Sequence, residues 1–320
     1  MSTETTHDPV LYEQLEDIQD DFDQVDIELM RVEHKLTRDL YAKRDKVISQ
    51  IPGFWPLVWE QAPPDIDEYL QYEDSNVIAS ALKNMSVERF ELPDGDPRSF
   101  AIKFEFSEND YFEDKTIEKK FWYRHGKDDL AGLVSEPVEI KWKPGKDLTK
   151  GLLTLAKKIH EDDKAGKTGV TENKTQLLKV KEDASTEGRS FFNFFGFRGH
   201  YITEEESREA AKTAEEERKA RQEGKEVEVK MDKDGDGDVD VDNDDAEDDD
   251  EHEYKYDVFP PGANVALAIA EDLWPEAIRY FQESEELAMS EVDLGDDGAD
   301  EGGQMDEDED EEKPSKKRKA

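Results

Sequence analysis

Apolar side chains recur along the first fifty residues at Leu11, Leu15, Ile18, Phe22, Val25, Leu29, Val32 and Leu36, in alternating steps of four and three. That is a heptad seam sustained over nearly four repeats. The pattern continues through Leu40, Tyr41 and Val47 until Pro52 stops it, which predicts one helix over residues 10–50, about 60 Å long. A single amphipathic helix of that length cannot bury its stripe against a small domain. The seam therefore predicts a homodimer, parallel or antiparallel.

The pattern then changes character. Ile51 to Trp59 is an aromatic cluster expected in the core, followed by a turn at Pro63-Pro64 and a short amphipathic stretch from Ile66 to Tyr72. Alternation of period two predicts strands at Ser86–Leu92, Phe100–Phe106, Thr116–Tyr123 and Val138–Trp142. Four strands joined by short, turn-rich links predict an antiparallel sheet with one face packed on helices, an α+β body over residues 51–285. Asp147 or Thr149 is placed to cap a helix, and Glu161 to Gly188 reads as a polar loop. The four phenylalanines of Ser190-Phe-Phe-Asn-Phe-Phe195 are placed to insert into the core, with a partner groove as the alternative. Glu204 to Arg221 is helix-prone but almost wholly polar, an exposed or partly disordered extension. The apolar pattern resumes at Tyr254–Phe259 and Val265–Phe281, where a helix containing Trp274-Pro275 is expected to pack back on the body.

Charge sets the class of partner. Against 43 Lys and Arg stand 85 Asp and Glu, a net charge of −42. Asp232 to Glu253 holds fourteen acids and one lysine, and Asp293 to Glu312 twelve acids and no base. The first tract lies before the last apolar segment, so an acidic insertion is expected at about 201–253. Residues 1–9 and 286–320 are expected to be disordered. The rest of the chain is acidic too, so the body itself is built to meet a cationic partner. Free nucleic acid is excluded as a direct specific ligand, because a polyanion gains no counterion release here.

Other chemistry is thin. The chain has no cysteine, hence no disulfide or thiol chemistry. The start MSTETTHDPV lacks a signal peptide's apolar core, and no apolar run approaches a membrane span, so a soluble intracellular protein is expected. Lys316, Lys317, Arg318 and Lys319 form a basic cluster of the kind that import receptors read. Asp232, Asp234, Asp236, Gly237 and Asp240 follow calcium-loop spacing, but Asn243 stands where a bidentate glutamate is required, and no apolar helices flank the loop. No phosphate loop, serine elbow or metal-spaced histidines point to catalysis, and no cofactor is expected. Histones are the most abundant Lys-rich proteins that fit, and composition alone does not choose among histones, ribosomal proteins and basic tails.

Several segments resemble one family. Val32-Glu-His-Lys35, Lys43-Arg-Asp-Lys46 and Ile51-Pro-Gly-Phe-Trp55, then Phe104-Glu-Phe-Ser-Glu-Asn-Asp-Tyr-Phe112, Ile140-Lys-Trp-Lys-Pro-Gly-Lys-Asp-Leu-Thr149, Ser190 to Phe195 and Asp272-Leu-Trp-Pro275 are similar to the motifs of the nucleosome assembly protein and SET family of histone chaperones, in family order over residues 10–285. The resemblance implies a nuclear homodimer, with shuttling to the cytoplasm as an alternative, whose paired helices carry an α+β body at each end and whose concave underside receives core histones, the H3-H4 and the 2A-2B pairs. It assigns histone contacts to Glu105, Glu108, Asn109, Asp110, Glu113 and Asp114, with Asp128, Asp129, Glu271 and Asp272 nearby. It also implies a histone acetyltransferase or a phosphatase as a further partner. The acidic tract inside the body, Asp232 to Glu253, departs from the family pattern.

Overall fold

The computed structural model describes residues 9–126, 130–167, 169–183, 189–200, 202–222 and 255–296. Helix α1 (Pro9–Ile48) is continuous over 40 residues, and the chain turns out of it at Pro52 and Gly53, whose φ of 75° suits glycine. Two faces of α1 do different things. From Leu15 to Leu40 the heptad residues stand 52–67% exposed. The other face docks on the body: Arg31 donates to the carbonyls of Pro93 and Gly95 at 2.8 and 2.9 Å, Ile48 is buried, and Arg44 lies against the touching rings of Tyr41 and Trp274 while donating to the Trp274 carbonyl at 2.6 Å. Burial pushes the Arg44 guanidinium below its ordinary range.

Helices α2 (Phe54–Glu60), α3 (Pro64–Asp67) and α4 (Tyr72–Ala81) follow, burying Phe54, Trp55, Val58, Trp59 and Ile66 as the aromatic cluster required. Helix α4 runs into β1 (Leu82–Glu88) without a loop. The first strand is thus earlier than the expected Ser86–Leu92, because buried Leu82 and Met85 extend the apolar pattern upstream while the chain leaves the sheet after Glu88. Strands β2 (Phe100–Phe106), β3 (Thr116–His125) and β4 (Ala131–Ser135) complete an antiparallel meander in the order β1-β2-β3-β4.

The expected fourth strand at Val138–Trp142 is not one. Pro137 cannot donate to a ladder, and the segment instead forms an extended strap: Val138 N–H donates to the Phe195 carbonyl at 2.8 Å, Ile140 is buried, and Trp142 bridges Phe112. Its alternation reflects packing on the core.

Phe100, Ile102, Phe104 and Phe106 of β2 face inward with Ile117, Lys119 and Phe121 of β3. They meet a 3-10 turn, Phe191–Gly196, whose four phenylalanines are all buried, as the sequence predicts. Asp74 of α4 anchors this turn, accepting from Ser190 Oγ and from the Phe191 N–H at 2.5 and 2.7 Å. Phe194 stacks on Phe191 and meets Phe195 and Phe259 edge-on. Phe194→Ala is expected to cost about 3–5 kcal/mol, read as a lower urea midpoint at unchanged slope.

Asp147 organises the start of α5 (Leu152–Lys164) by accepting from Thr149 and Gly151, although the N-cap itself is Gly151. The expected polar loop Glu161–Gly188 contains a helix, α6 (Glu172–Asp183). Its apolar contacts with the core are Leu177, Leu178 and Val180, too few positions to set a period, and Lys174 and Lys181 add polar ties to Asp163 and to the Asp257 carbonyl. Helix α7 (Glu204–Gln222) is the polar extension. Helix α8 (Gly262–Ala268) passes through a π-helical turn, Ile269–Leu273, into α9 (Ala277–Asp296). Pro275, which lacks an N–H, accounts for that break. Helix α9 carries regular backbone to Asp296, beyond the expected start of a disordered tail at 286. Most of the acidic insertion (223–254), the tail beyond Asp296 with Lys316 to Lys319, and residues 1–8 lie outside the described residues.

Candidate functional site

The acids that the motifs single out begin at the end of β2. Asn109 shapes the loop from Ser107 to Lys115: its Oδ1 accepts from the N–H groups of Tyr111 and Phe112 at 2.8 and 3.0 Å, and its Nδ2 donates to the Ser107 carbonyl. This local bond is why Asn fits the turn. Phe112 then drops into the core against Phe106, Trp142 and Phe192. The far side of the loop is stitched to the strap, Glu113 N–H to the Lys141 carbonyl at 3.0 Å and Lys141 N–H to Asp114 Oδ2 at 2.6 Å.

Glu108, Asp110 and Glu113 are left exposed on this pinned frame, whereas Asn109 and Asp114 build it. Glu105 lies on the outer face of the sheet, where the Lys103 ammonium at 2.5 Å holds its carboxyl below the usual range. Glu271 and Asp272 sit elsewhere. Glu271 is 3.8 Å from Arg89, just past β1, and Asp272 accepts from Tyr280 Oη at 2.9 Å and pairs with Arg279. The loop Ser107–Lys115 joins the opposite end of β1, where Ser107 N–H donates to the Ala81 carbonyl. The length of β1, about 20 Å, separates the two groups, so the structure does not bring them together. Asp128, Asp129 and the side chain of Leu11 lie outside the described residues.

Two features escaped the sequence reading. Lys115, Lys141, Lys143 and Lys146 surround the acidic loop; Lys143 Nζ donates to the Asn109 carbonyl, and Lys146 lies over the Tyr111 ring. The loop is thus locally balanced in charge. The second is Lys119, fully buried on the core face of β3, with Nζ donating to the carbonyls of Glu136, Phe195 and Phe197 at 3.0, 3.1 and 2.9 Å. Its signal in the sequence is a lysine in register with Ile117 and Phe121. Among the described residues, no group of three or more acids and histidines is placed to hold a metal ion, and no helix is long and apolar enough to cross a membrane.

A 40-residue helix whose apolar stripe stands exposed from Leu15 to Leu40, joined to an α+β body that presents carboxylates on a pinned loop, has the form of a binding scaffold. The Nucleosome assembly protein (NAP) family matches residues 9–284, and the chain belongs to that family, one of histone chaperones and not of enzymes. It is 32% identical over 147 residues to a putative nucleosome assembly protein of Schizosaccharomyces pombe, covering 43% of this chain and 59% of that one. It is 30% identical over 187 residues to NAP1-related protein 1 of Arabidopsis thaliana, 55% and 67% of the two chains. With protein SET of Drosophila melanogaster it shares 35% over 133 residues, 40% and 47%. The matches thus span about half to two thirds of these relatives' lengths. The crystal structure of Vps75 superposes with a TM-score of 0.53 at 18% identity, over 87% of this chain and all of that one. That of Ccp1 gives 0.50 at 23%, over 86% and 95%. These likenesses show the fold.

Proposed function

We propose that this chain is a histone chaperone that works in the nucleus as an antiparallel homodimer, shielding core histones, both the H3-H4 and the 2A-2B pairs, and releasing them where DNA offers a better polyanion. The observation that carries the reading is family membership over residues 9–284 combined with a net charge of −42. Many exposed, interchangeable ion pairs, each contributing little, give fast encounter and a steep salt dependence.

The open stripe supports the dimer, and the charges beside it favour the antiparallel arrangement. Residues 11–28 carry eight acids and no Lys or Arg, whereas residues 29–48 carry six Lys and Arg against three acids. Parallel pairing would set acid on acid and base on base. Antiparallel pairing lays each acidic half along the basic half of the other copy.

The test is protection of histones from precipitation on DNA at about 0.15 M salt. Soluble histones in proportion to added protein are expected; precipitation unchanged by the protein would end the chaperone reading. At the loop, Asn109→Ala leaves the charge untouched but frees two backbone N–H groups from their acceptor. We expect roughly three- to tenfold weaker histone binding at all salt concentrations, while Asp110→Asn weakens binding at low salt only. Titration of both variants against labelled histones at two salt concentrations separates shape from charge.

A further inference from the structure

Helix α7 falls in the segment where the chain departs from its family's pattern, and its contacts give it a place in the assembly. Its root is fixed to the body: the His125 N–H donates to Ser207 Oγ at 2.9 Å, and Ile202 is buried against Gly126. Its far end reaches α1, where Arg218 pairs with Asp21 across 197 residues of sequence. Arg218 Nε is also buried, with no acceptor among the described residues.

Asp21 lies on a particular flank of α1. With Leu15, Phe22, Leu29 and Leu36 in one column of the seam and Ile18, Val25 and Val32 in the other, Asp21 is the residue bordering the stripe, the position from which coiled coils make charge contacts to a second strand. At 100° per residue it stands about 70° from the centre of the stripe. Two helices that pack on α1 at about 10 Å, one over the stripe and one over Asp21, have axes only about 11 Å apart. A second copy seated on the stripe therefore passes close to the far end of α7, where Arg218 meets Asp21.

Register and charge name the opposing segment. The stripe extends from Leu15 to Val47, and antiparallel overlap of its whole length sets residue 21 opposite about residue 41 of the other copy. That is the basic half of α1, where Lys43 and Lys46 are exposed. On α7, Glu216 and Glu217 are exposed beside Arg218.

We propose that α7 is a brace across the dimer: Arg218 fixes it to the flank of its own α1, and Glu216 and Glu217 meet the basic half of the second copy's α1. The proposal rests on the antiparallel dimer and adds an interface surface outside the seam. Dissociation of the full-length dimer, followed by mass photometry across concentration, tests it with Arg218→Glu and with Arg208→Glu, the same charge change near the root of the arm. Arg218→Glu is expected to raise the dissociation constant about tenfold and Arg208→Glu to leave it within twofold; equal values for the wild type and Arg218→Glu overturn the brace. A second readout uses the unaltered protein as a mixed dimer of isotope-labelled and unlabelled chains, cross-linked through lysine. Links between Lys219 and Lys43 of the partner subunit are expected; links from Lys219 confined to its own chain overturn the proposal. A wild-type protein that is monomeric would instead remove the dimer beneath it.

Discussion

Val32→Glu is expected to turn the dimer into a monomer at micromolar concentration while leaving the fold in place. The heptad residues from Leu15 to Leu40 are more than half exposed in the single chain, so their burial awaits a partner. With the stripe centred near residue 31, Val32 of each copy lies close to the two-fold axis, and the substitution sets two carboxylates against each other in an apolar seam. The lost burial of two valines and the desolvation of two charges amount to about 4 kcal/mol or more, roughly a thousandfold in dissociation constant. Helix α1 should survive, because its other face is held by Arg31, Tyr41, Arg44 and Ile48. Sedimentation should show half the mass with unchanged helical circular dichroism. An intact dimer would mean that the stripe serves something other than a second copy.

The second large effect belongs to Lys119. Its three bonds tie β3 to the strap at Glu136 and to the aromatic turn at Phe195 and Phe197. Lys119→Ala leaves a cavity and three carbonyls without this donor, an expected loss of about 3–5 kcal/mol; Lys119→Met restores the volume and should recover part of it. Burial pushes the Lys119 ammonium down to about 7, against the pull of Asp257 and Glu136. Between that value and the ordinary lysine range the unfolded chain holds a proton that the folded chain has released, so stability rises with pH. Relative to Lys119→Met, the wild type should gain up to about 1.4 kcal/mol per pH unit between pH 7.5 and 9.5, read from urea midpoints at each pH. Parallel curves for the two proteins would show that the ammonium is not under this strain.

The elements most readable in the sequence are those whose residues act through one dominant force. The seam of α1, the alternating strand Phe100–Phe106 and the phenylalanines of the aromatic turn are hydrophobic patterns, and hydrophobic burial built each of them. Where two forces share a segment the pattern misleads. Val138, Ile140 and Trp142 alternate like a strand but pack as a strap, and β1 begins at Leu82, directly after α4 and ahead of the strand expected at Ser86–Leu92. The docked face of α1 was hidden because Arg31 and Arg44 bind carbonyls and aromatic rings, whereas their letters read as solvent-facing charge. At the candidate site the family motifs located the loop Ser107–Lys115, but not the division of labour within it. Which carboxylate faces solvent depends on partners such as Lys141 and Tyr280, distant in sequence from Asp114 or on the next helix from Asp272. The lysines that balance the loop come partly from the strap, whose position follows from the tertiary fold alone.

The most direct test of a dimeric chaperone is the particle mass by light scattering at about 0.3 M salt, where exposed charge pairs are largely screened. The protein is measured alone, then with each core histone pair, then with lysozyme as a basic control. A dimer that takes up histones in fixed stoichiometry and leaves lysozyme free is predicted; a monomer, or equal uptake of lysozyme and histones, would contradict the account.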